Sequence, residues 1–315
     1  MSDLGIDDQT RADIIRLATM ALEEDIGSSD LQVAMDCTTL SVVPENVPAS
    51  ASYVARDQGV VSGLAVAEVV IHEFAPQIRF EKWVEDGTTI QPQAKLATMH
   101  GEAQDILMLE RTCLNFMCRL SGISSITSRF VEKISGLETE ILDTRKTTPG
   151  WRRIEKYAVA CGGGANHRMG LYDAVMIKDN HLAMYGAHIG NSKLSVSEAV
   201  ELARKWVESN ANKLPNGGQT VVQIEVDTVE QLKIAFTAKP DIVLLDNMSV
   251  DQLRQSVDLR NKTANGILLE ASGGVNYETV RPIAETGVER ISIGAITHSA
   301  TNFDIGLDWE IGNAR

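Results

Sequence analysis

An α/β fold with a parallel sheet, preceded by a smaller α+β domain, is what this sequence predicts, and three observations carry the prediction. Beyond about residue 137 come six short apolar runs, all but the last ending in a polar residue: ETEILDTR, DAVMIKDN, VVQIEVD, DIVLLDN, ILLEAS and RISIGA. The later runs recur about every 20–25 residues, the length of one strand plus one helix with its loops. The segments between them read as helices, and two open on the [S/T]-x-x-[E/Q] pattern of a capping box, Thr228–Gln231 and Ser249–Gln252. Strands apolar along their whole length and alternating with helices imply a parallel sheet covered on its faces. Six such strands fall short of the eight of a closed barrel, whose chemistry sits at the carboxyl ends of the strands.

Residues 10–24 repeat apolar positions at helical spacing (Ile14, Ile15, Leu17, Ala18, Ala21, Leu22) and predict an amphipathic helix. Over residues 50–100, β-leaning runs such as ASYVA, GVVSG and FEKWV alternate with turn signals such as RDQG and EDGTT, and one helical stretch, LAVAEVVIHEF, lies among them. Residues 103–135 are helical in period, with a break expected near Ser121–Gly122 that would make a domain border. The expected organisation is therefore an α+β domain over residues 1–122, an α/β barrel domain over 123–295, and a last segment, 296–315, returning to the first domain as an added strand. Residues 209–219 (SNANKLPNGGQ) read as a surface loop, and no internal repeat or low-complexity tract is present.

The 315 residues, 43% of them hydrophobic and 23% charged, have the composition of an ordinary folded protein and exclude a disulfide-stapled miniprotein or a disordered chain. Forty-three acidic residues against 29 basic ones leave a net charge of −14, which repels nucleic acid and anionic membrane surfaces. No apolar run approaches the roughly 18 residues of a membrane span, and the first residues lack a signal-peptide layout, so a cytoplasmic protein is expected. Cys37, Cys113, Cys118 and Cys161 form no CxxC pair; reduced, buried thiols are expected, with zinc as the alternative.

An acidic chain that binds an anion needs a local basic pocket. Residues 145–178 hold seven Lys or Arg (145, 146, 152, 153, 156, 168, 178) against two acids (155, 173), together with His167. Each cation alone could be solvated surface charge. Arg145 and Lys178, however, end strands, and Arg168 follows the CGGGANH turn. Gly162, Gly163 and Gly164 could let backbone approach a ligand. Ser272, Gly273, Gly274 and Gly294 follow the last two strands, where barrels commonly bind phosphate through backbone N–H groups. Glu225 and Asp246 end adjacent strands and could share one Mg²⁺, a hard cation that prefers oxygen ligands; helix capping is the alternative role for either.

The run LDTRKTTPGWRRIEKYAVACGGGANHRMGLYDAVMIKDNH closely resembles the quinolinate phosphoribosyltransferases. The likeness extends back through ALEEDIG, ARDQGVVSGL and ERTCLNFMCRLSGI. It runs forward through IEVDTVEQL, DIVLLDNMS, LLEASGGVN and GVERISIGAITHS, from about residue 20 to about residue 300. The resemblance implies an open-faced α+β sandwich followed by an incomplete (β/α) barrel, in a homodimer with shared sites that leaves a higher oligomer open. It implies the reaction of quinolinate with phosphoribosyl pyrophosphate, with Mg²⁺, to nicotinate mononucleotide, pyrophosphate and CO₂ in de novo NAD biosynthesis. It further implies that Arg145, His167, Arg168 and Lys178 hold the two quinolinate carboxylates and that Lys146 faces the pyrophosphate. Glu225 and Asp246 would serve metal and ribose, with Lys146, Lys178, Glu225 and Asp246 as the catalytic set. Ser272, Gly273, Gly274, Gly294 and His298 would line the 5′-phosphate end, and Arg111 would reach the partner subunit's site.

Three stretches depart from the family pattern: SSDLQVAMDCTT, QPQAKL and the loops of residues 187–218. All lie away from the motifs. Two other readings compete. A barrel aldolase with Lys178 as Schiff-base nucleophile explains one lysine but not the Arg/His cluster. A phosphate-binding relative without turnover has no use for a clamp that fits two carboxylates.

Overall fold

The computed structural model describes residues 5–188 and 194–310. In chain order its elements are α1 (Asp8–Ile26), α2 (Cys37–Val42), β1 (Pro48–Ala55), β2 (Gly59–Val60), α3 (Leu64–Phe74), β3 (Arg79–Lys82), β4 (Thr89–Ile90), β5 (Lys95–Glu102) and α4 (Ala103–Lys133). There follow β6 (Glu140–Leu142), α5 (Arg152–Cys161), β7 (Val175–Ile177), α6 (Asp179–His188), α7 (Val196–Ser209), β8 (Val222–Val226), α8 (Val229–Ala238), β9 (Ile242–Asp246) and α9 (Val250–Thr263). The last are β10 (Leu268–Ser272), α10 (Val280–Ala284), β11 (Arg290–Ser292), α11 (Ala295–His298) and β12 (Ile305–Trp309). The elements form two units. The first takes the described residues up to 129, residues 146–164 and those from 296 onward; the second takes residues 130–145 and 165–295. The division does not follow a single cut at 122, because α5 packs within the first unit: Arg119 pairs with the buried Glu155 at 3.1 Å, and Tyr157 donates to Asp86 at 2.7 Å.

In the first unit, the order β12-β1-β5-β3 forms an antiparallel sheet. Strand alternation gives it two different faces. Ala51, Tyr53, Ala97 and Met99 are buried on one. The other is polar and stitched by side chains, with Ser50 Oγ 2.8 Å from His100 Nδ1, Ser52 Oγ 2.9 Å from Thr98 Oγ1, and Trp83 Nε1 donating to Thr98 at 2.9 Å. This is the open face of a sandwich. Helix α1 starts where Asp7 accepts the Thr10 N–H at 2.6 Å, ends at Gly27 in the left-handed region, and buries Ile14, Ala18 and Leu22.

The expected break at Ser121–Gly122 is absent: α4 is one continuous helix. Gly122 is there for close approach, since a Cβ on it would lie 2.1 Å from the Thr301 carbonyl oxygen. Gly162 likewise faces protein, not ligand; its Cβ would meet the Ser124 carbonyl oxygen at 2.4 Å. Cys113 and Cys161 are buried, and burial pushes their thiols up to about 12 and about 11, while Cys118 is half-buried and Cys37, against expectation, is exposed. No cluster of three or more metal-ligating side chains occurs among the described residues, and no described helix is long and apolar enough to cross a membrane.

The second unit is built on the six runs read from the sequence, which form one parallel sheet in the order β6-β11-β10-β9-β8-β7. Strands β6 and β7 are its two edges, and the bridge Leu142↔Ala165 touches β6 from the segment leading to β7, so no closed barrel forms among the described residues. Ser249 and Gln252 make the full capping box of α9. At α8 only half of it forms, because the Gln231 side chain accepts from Asp227 rather than from Thr228.

Candidate active site

Strand register decides which side chains share a face, because partners in a parallel ladder point the same way and alternate residues point opposite ways. Glu225 of β8 is opposite Leu244 of β9, which is opposite Glu270 of β10, which is opposite Arg290 of β11. Ile177 is opposite Ile224, so Lys178, the next residue, extends this row beside Glu225. Two residues further along the same face come Asp246 and, opposite it, Ser272. In strands that are largely apolar, one face thus carries a row that is charged except at Leu244 and, at the carboxyl ends, a second polar row.

The basic residues collect at the seam where a complete barrel would close. Arg145 follows edge strand β6, Arg168 precedes edge strand β7 and Lys178 follows it. All three line one cavity of about 600 Å³. Its remaining wall is largely apolar, with Leu171, Met176, Leu182 and Leu202. Arg168 is held by its Nη1, which donates to the Ala174 carbonyl at 2.8 Å, while its buried Nε has no hydrogen-bond partner among the described residues. Burial, and then the charge of Arg145, push the Arg168 guanidinium below its ordinary pKa, with Asp173 opposing them. Two guanidiniums held together in a half-buried cavity with a spare donor form a receptor for a planar anion.

Behind the cavity, the His167 side chain is 8% exposed and lies 3.3 Å from the fully buried Glu270 carboxylate. Glu270 also accepts from Arg290 Nε at 3.0 Å and from Gln223 Nε2 at 3.2 Å. Burial works to raise the Glu270 carboxyl, and the neighbouring His167 and then the Arg290 charge overcome it, so the group lies below the usual carboxylate range. On the open side, Lys178 Nζ donates to Glu225, and Asp246 accepts from Asn247 Nδ2 at 2.7 Å. Glu225 and Asp246 present two carboxylates on one face of adjacent strands. A cation held there would have to complete its coordination with ligand or water oxygens, as Mg²⁺ does.

Gly273 and Gly274, both at positive φ (92° and 60°), make the turn after β10, and a Cβ on Gly273 would lie 2.3 Å from Asn247 Oδ1. Consecutive amides in such a turn can converge on an anion. Gly294 follows β11. The other expected site residues belong to the first unit. Arg111 is on an exposed face of α4, and Lys146 is exposed with its carbonyl accepting from Thr297 Oγ1 at 2.7 Å. His298 ends α11, with Nδ1 2.7 Å from Ser299 Oγ. Sequence reasoning missed Gln223 and Arg290 and singled out Asp143 and Glu270 only as polar residues at strand ends, without a role. Their signal is a polar residue interrupting an apolar strand, as in VVQIEV and LLEAS.

The family description "Quinolinate phosphoribosyl transferase, C-terminal domain" matches residues 123–308, and its N-terminal counterpart matches residues 36–121. The chain is 40% identical over 281 residues to the nicotinate-nucleotide pyrophosphorylase [carboxylating] of Mycobacterium leprae, covering 89% of this chain and 93% of that one. It is 37% identical over 310 residues to a mitochondrial quinolinate phosphoribosyltransferase [decarboxylating] of Nicotiana glauca, covering 94% and 82%. The solved nicotinate-nucleotide pyrophosphorylase of Francisella tularensis superposes with a TM-score of 0.82 at 33% identity, over 97% of this chain and 99% of that one. With both domains matched in order and the cationic seam in place, the chain belongs to the quinolinate phosphoribosyltransferase family.

Proposed function

We propose that the chain joins quinolinate to phosphoribosyl pyrophosphate, giving nicotinate mononucleotide, pyrophosphate and CO₂ in NAD biosynthesis, and that the pyridine carboxylates are held in the cavity lined by Arg145, Arg168 and Lys178. The observation that carries this reading is that cavity: three cations around an apolar slot in a chain of net charge −14. Guanidiniums pair with planar carboxylates through two parallel hydrogen bonds, and the apolar wall suits a pyridine ring.

Little covalent chemistry is asked of the protein. Loss of pyrophosphate leaves a ribose with oxocarbenium character, and the Glu225 and Asp246 carboxylates stabilise positive charge near the sugar. Lys178, paired with Glu225 on the strand ends, joins the cationic clamp to the carboxylates that serve the ribose. Glu225 and Asp246 would hold Mg²⁺, which would supply neutralisation of negative charge on the leaving pyrophosphate. Lys146 serves the pyrophosphate, and Ser272, Gly273, Gly274, Gly294 and His298 serve the 5′-phosphate. Once its nitrogen is ribosylated, the pyridine ring is cationic and stabilises the carbanion left by CO₂, while the clamp keeps the ring in place. In a cytoplasmic homodimer, Arg111, exposed on α4, reaches the partner subunit's site.

Purified protein given quinolinate, phosphoribosyl pyrophosphate and Mg²⁺ should yield nicotinate mononucleotide and CO₂ by mass detection. Nicotinate should be a poor substitute, because one carboxylate leaves buried positive charge unpaired at a cost of about 1–3 kcal/mol. Glu225→Ala and Asp246→Ala should each lose most turnover, with quinolinate binding in the absence of the second substrate little changed. Comparable efficiency with nicotinate removes the two-carboxylate clamp, and near-normal rates in either variant remove that residue's role.

A further inference from the structure

The hydrogen bonds around His167 settle where its ring proton resides. His167 Nδ1 accepts the backbone N–H of Arg168 at 2.8 Å. A ring nitrogen that accepts an amide proton has none of its own, so the proton is on Nε2, which faces Glu270 Oε1 at 3.3 Å. The backbone on the other side is fixed too, because the His167 N–H donates to the fully buried Asp143 carboxylate at 2.7 Å. Nδ1 is thus hydrogen-bonded, Nε2 lies at ion-pair distance from Glu270 Oε1 without hydrogen-bond alignment, and His167 does not line the cavity that Arg145, Arg168 and Lys178 share.

We propose that Glu270 is a positioning residue for the anion clamp, acting through His167 on the backbone of Arg168, and that His167 is the middle of this relay and does not itself hold the substrate's carboxylates. The proposal rests on the reading of the cavity as the carboxylate site. Glu270 is suited to the first place because it is itself immobilised, with Arg290 and Gln223 on its second oxygen. A buried carboxylate behind an imidazole fixes both its tautomer and its ring plane. Arg168 then leaves a backbone clamped by the ring at its amide, while its Nη1 is anchored on the Ala174 carbonyl, so the rest of the guanidinium enters the cavity in one direction. Pre-orientation of this kind is how a clamp avoids ordering costs on binding.

The test uses the full chain with ¹⁵N-labelled histidine. There are six histidines, and the His167 ring signals are those lost in His167→Asn. The relay requires one protonated nitrogen, Nε2, and one unprotonated nitrogen, Nδ1, in the ligand-free protein, and the same pattern when quinolinate saturates it without the second substrate. A ring protonated on both nitrogens in the complex, or one carrying its proton on Nδ1, overturns the proposal. Glu270→Gln should shift the Nε2 signal and raise the quinolinate Kd and KM up to about tenfold, leaving the KM for phosphoribosyl pyrophosphate within about twofold. His167→Asn, whose amide oxygen can take the Arg168 N–H, should keep more quinolinate affinity than His167→Ala. Equal losses in these two uncharged variants point to a direct cationic ligand and overturn the relay. If Glu270→Gln does not fold, the ring signals and the two His167 variants decide the matter. Failure of the wild-type protein to form nicotinate mononucleotide overturns the function, whereas the ligand-free ring pattern tests the relay independently.

Discussion

A carboxylate sealed from water, as Glu270 is, keeps its charge because His167, Arg290 and Gln223 replace the lost hydration. Its folded-state pKa lies below the ordinary value of 4.5, so its contribution to stability is present above that value and is lost as the pH falls through the lower, folded value. Thermal unfolding followed between pH 6 and pH 3 should therefore show a steep acid decline in the wild type and a shallower one in Glu270→Gln; parallel declines would contradict the assignment. Arg145, Arg168 and Lys178, which line one cavity, could be singled out from sequence because cations at a strand end or after a glycine-rich turn have no packing role to explain them. The relay behind them could not, since it depends on which ring nitrogen of His167 meets which neighbour, and periodicity says nothing of that.

Helix α4 shows what a local reading of an element misses. A glycine in a helix interior costs roughly 0.5–1 kcal/mol relative to alanine, which is why Ser121–Gly122 suggests a break. The compensation is the Thr301 backbone packed against it, a partner remote in sequence. Gly122→Ala should therefore destabilise despite its better helix propensity, by about 1–3 kcal/mol in thermal or denaturant unfolding, through overpacking. A stabilised variant would show that the contact yields easily. The six strands β6 to β11 were readable for the opposite reason: burial on both faces makes each a continuous apolar run, whose signal is contained within the run itself. Their register was not readable, and register is what puts Glu225 and Asp246 on one face.

For the whole molecule, a net charge of −14 alongside a cationic cavity means that anionic substrates are attracted only close to the site, and raised salt should weaken quinolinate binding. The proposed shared-site homodimer makes a sharper prediction. Arg111→Ala and Lys178→Ala should each be nearly inactive alone, and mixing them under subunit exchange should restore up to about a quarter of wild-type activity, because half the dimers are mixed and each has one intact site. Mixed dimers confirmed by native mass spectrometry and still inactive would place Arg111 in its own subunit's site or on the surface. The border expected at residue 122 falls where the two matched family domains, 36–121 and 123–308, meet, while the compact units also draw residues 146–164 and those from 296 onward into the first, because sequence rhythm marks changes of texture and α5 has the texture of one unit but packs in the other.

Strand β12 pairs with β1, so one sheet is made from the beginning and the end of the described chain. During synthesis, β1 leaves the ribosome long before its partner and waits with an unpaired edge while the residues of the second unit are made. An edge of this kind invites pairing with other chains. Shortening the chain before Ile305 should therefore lower soluble yield in the cell more than it lowers the intrinsic activity of the molecules that do fold.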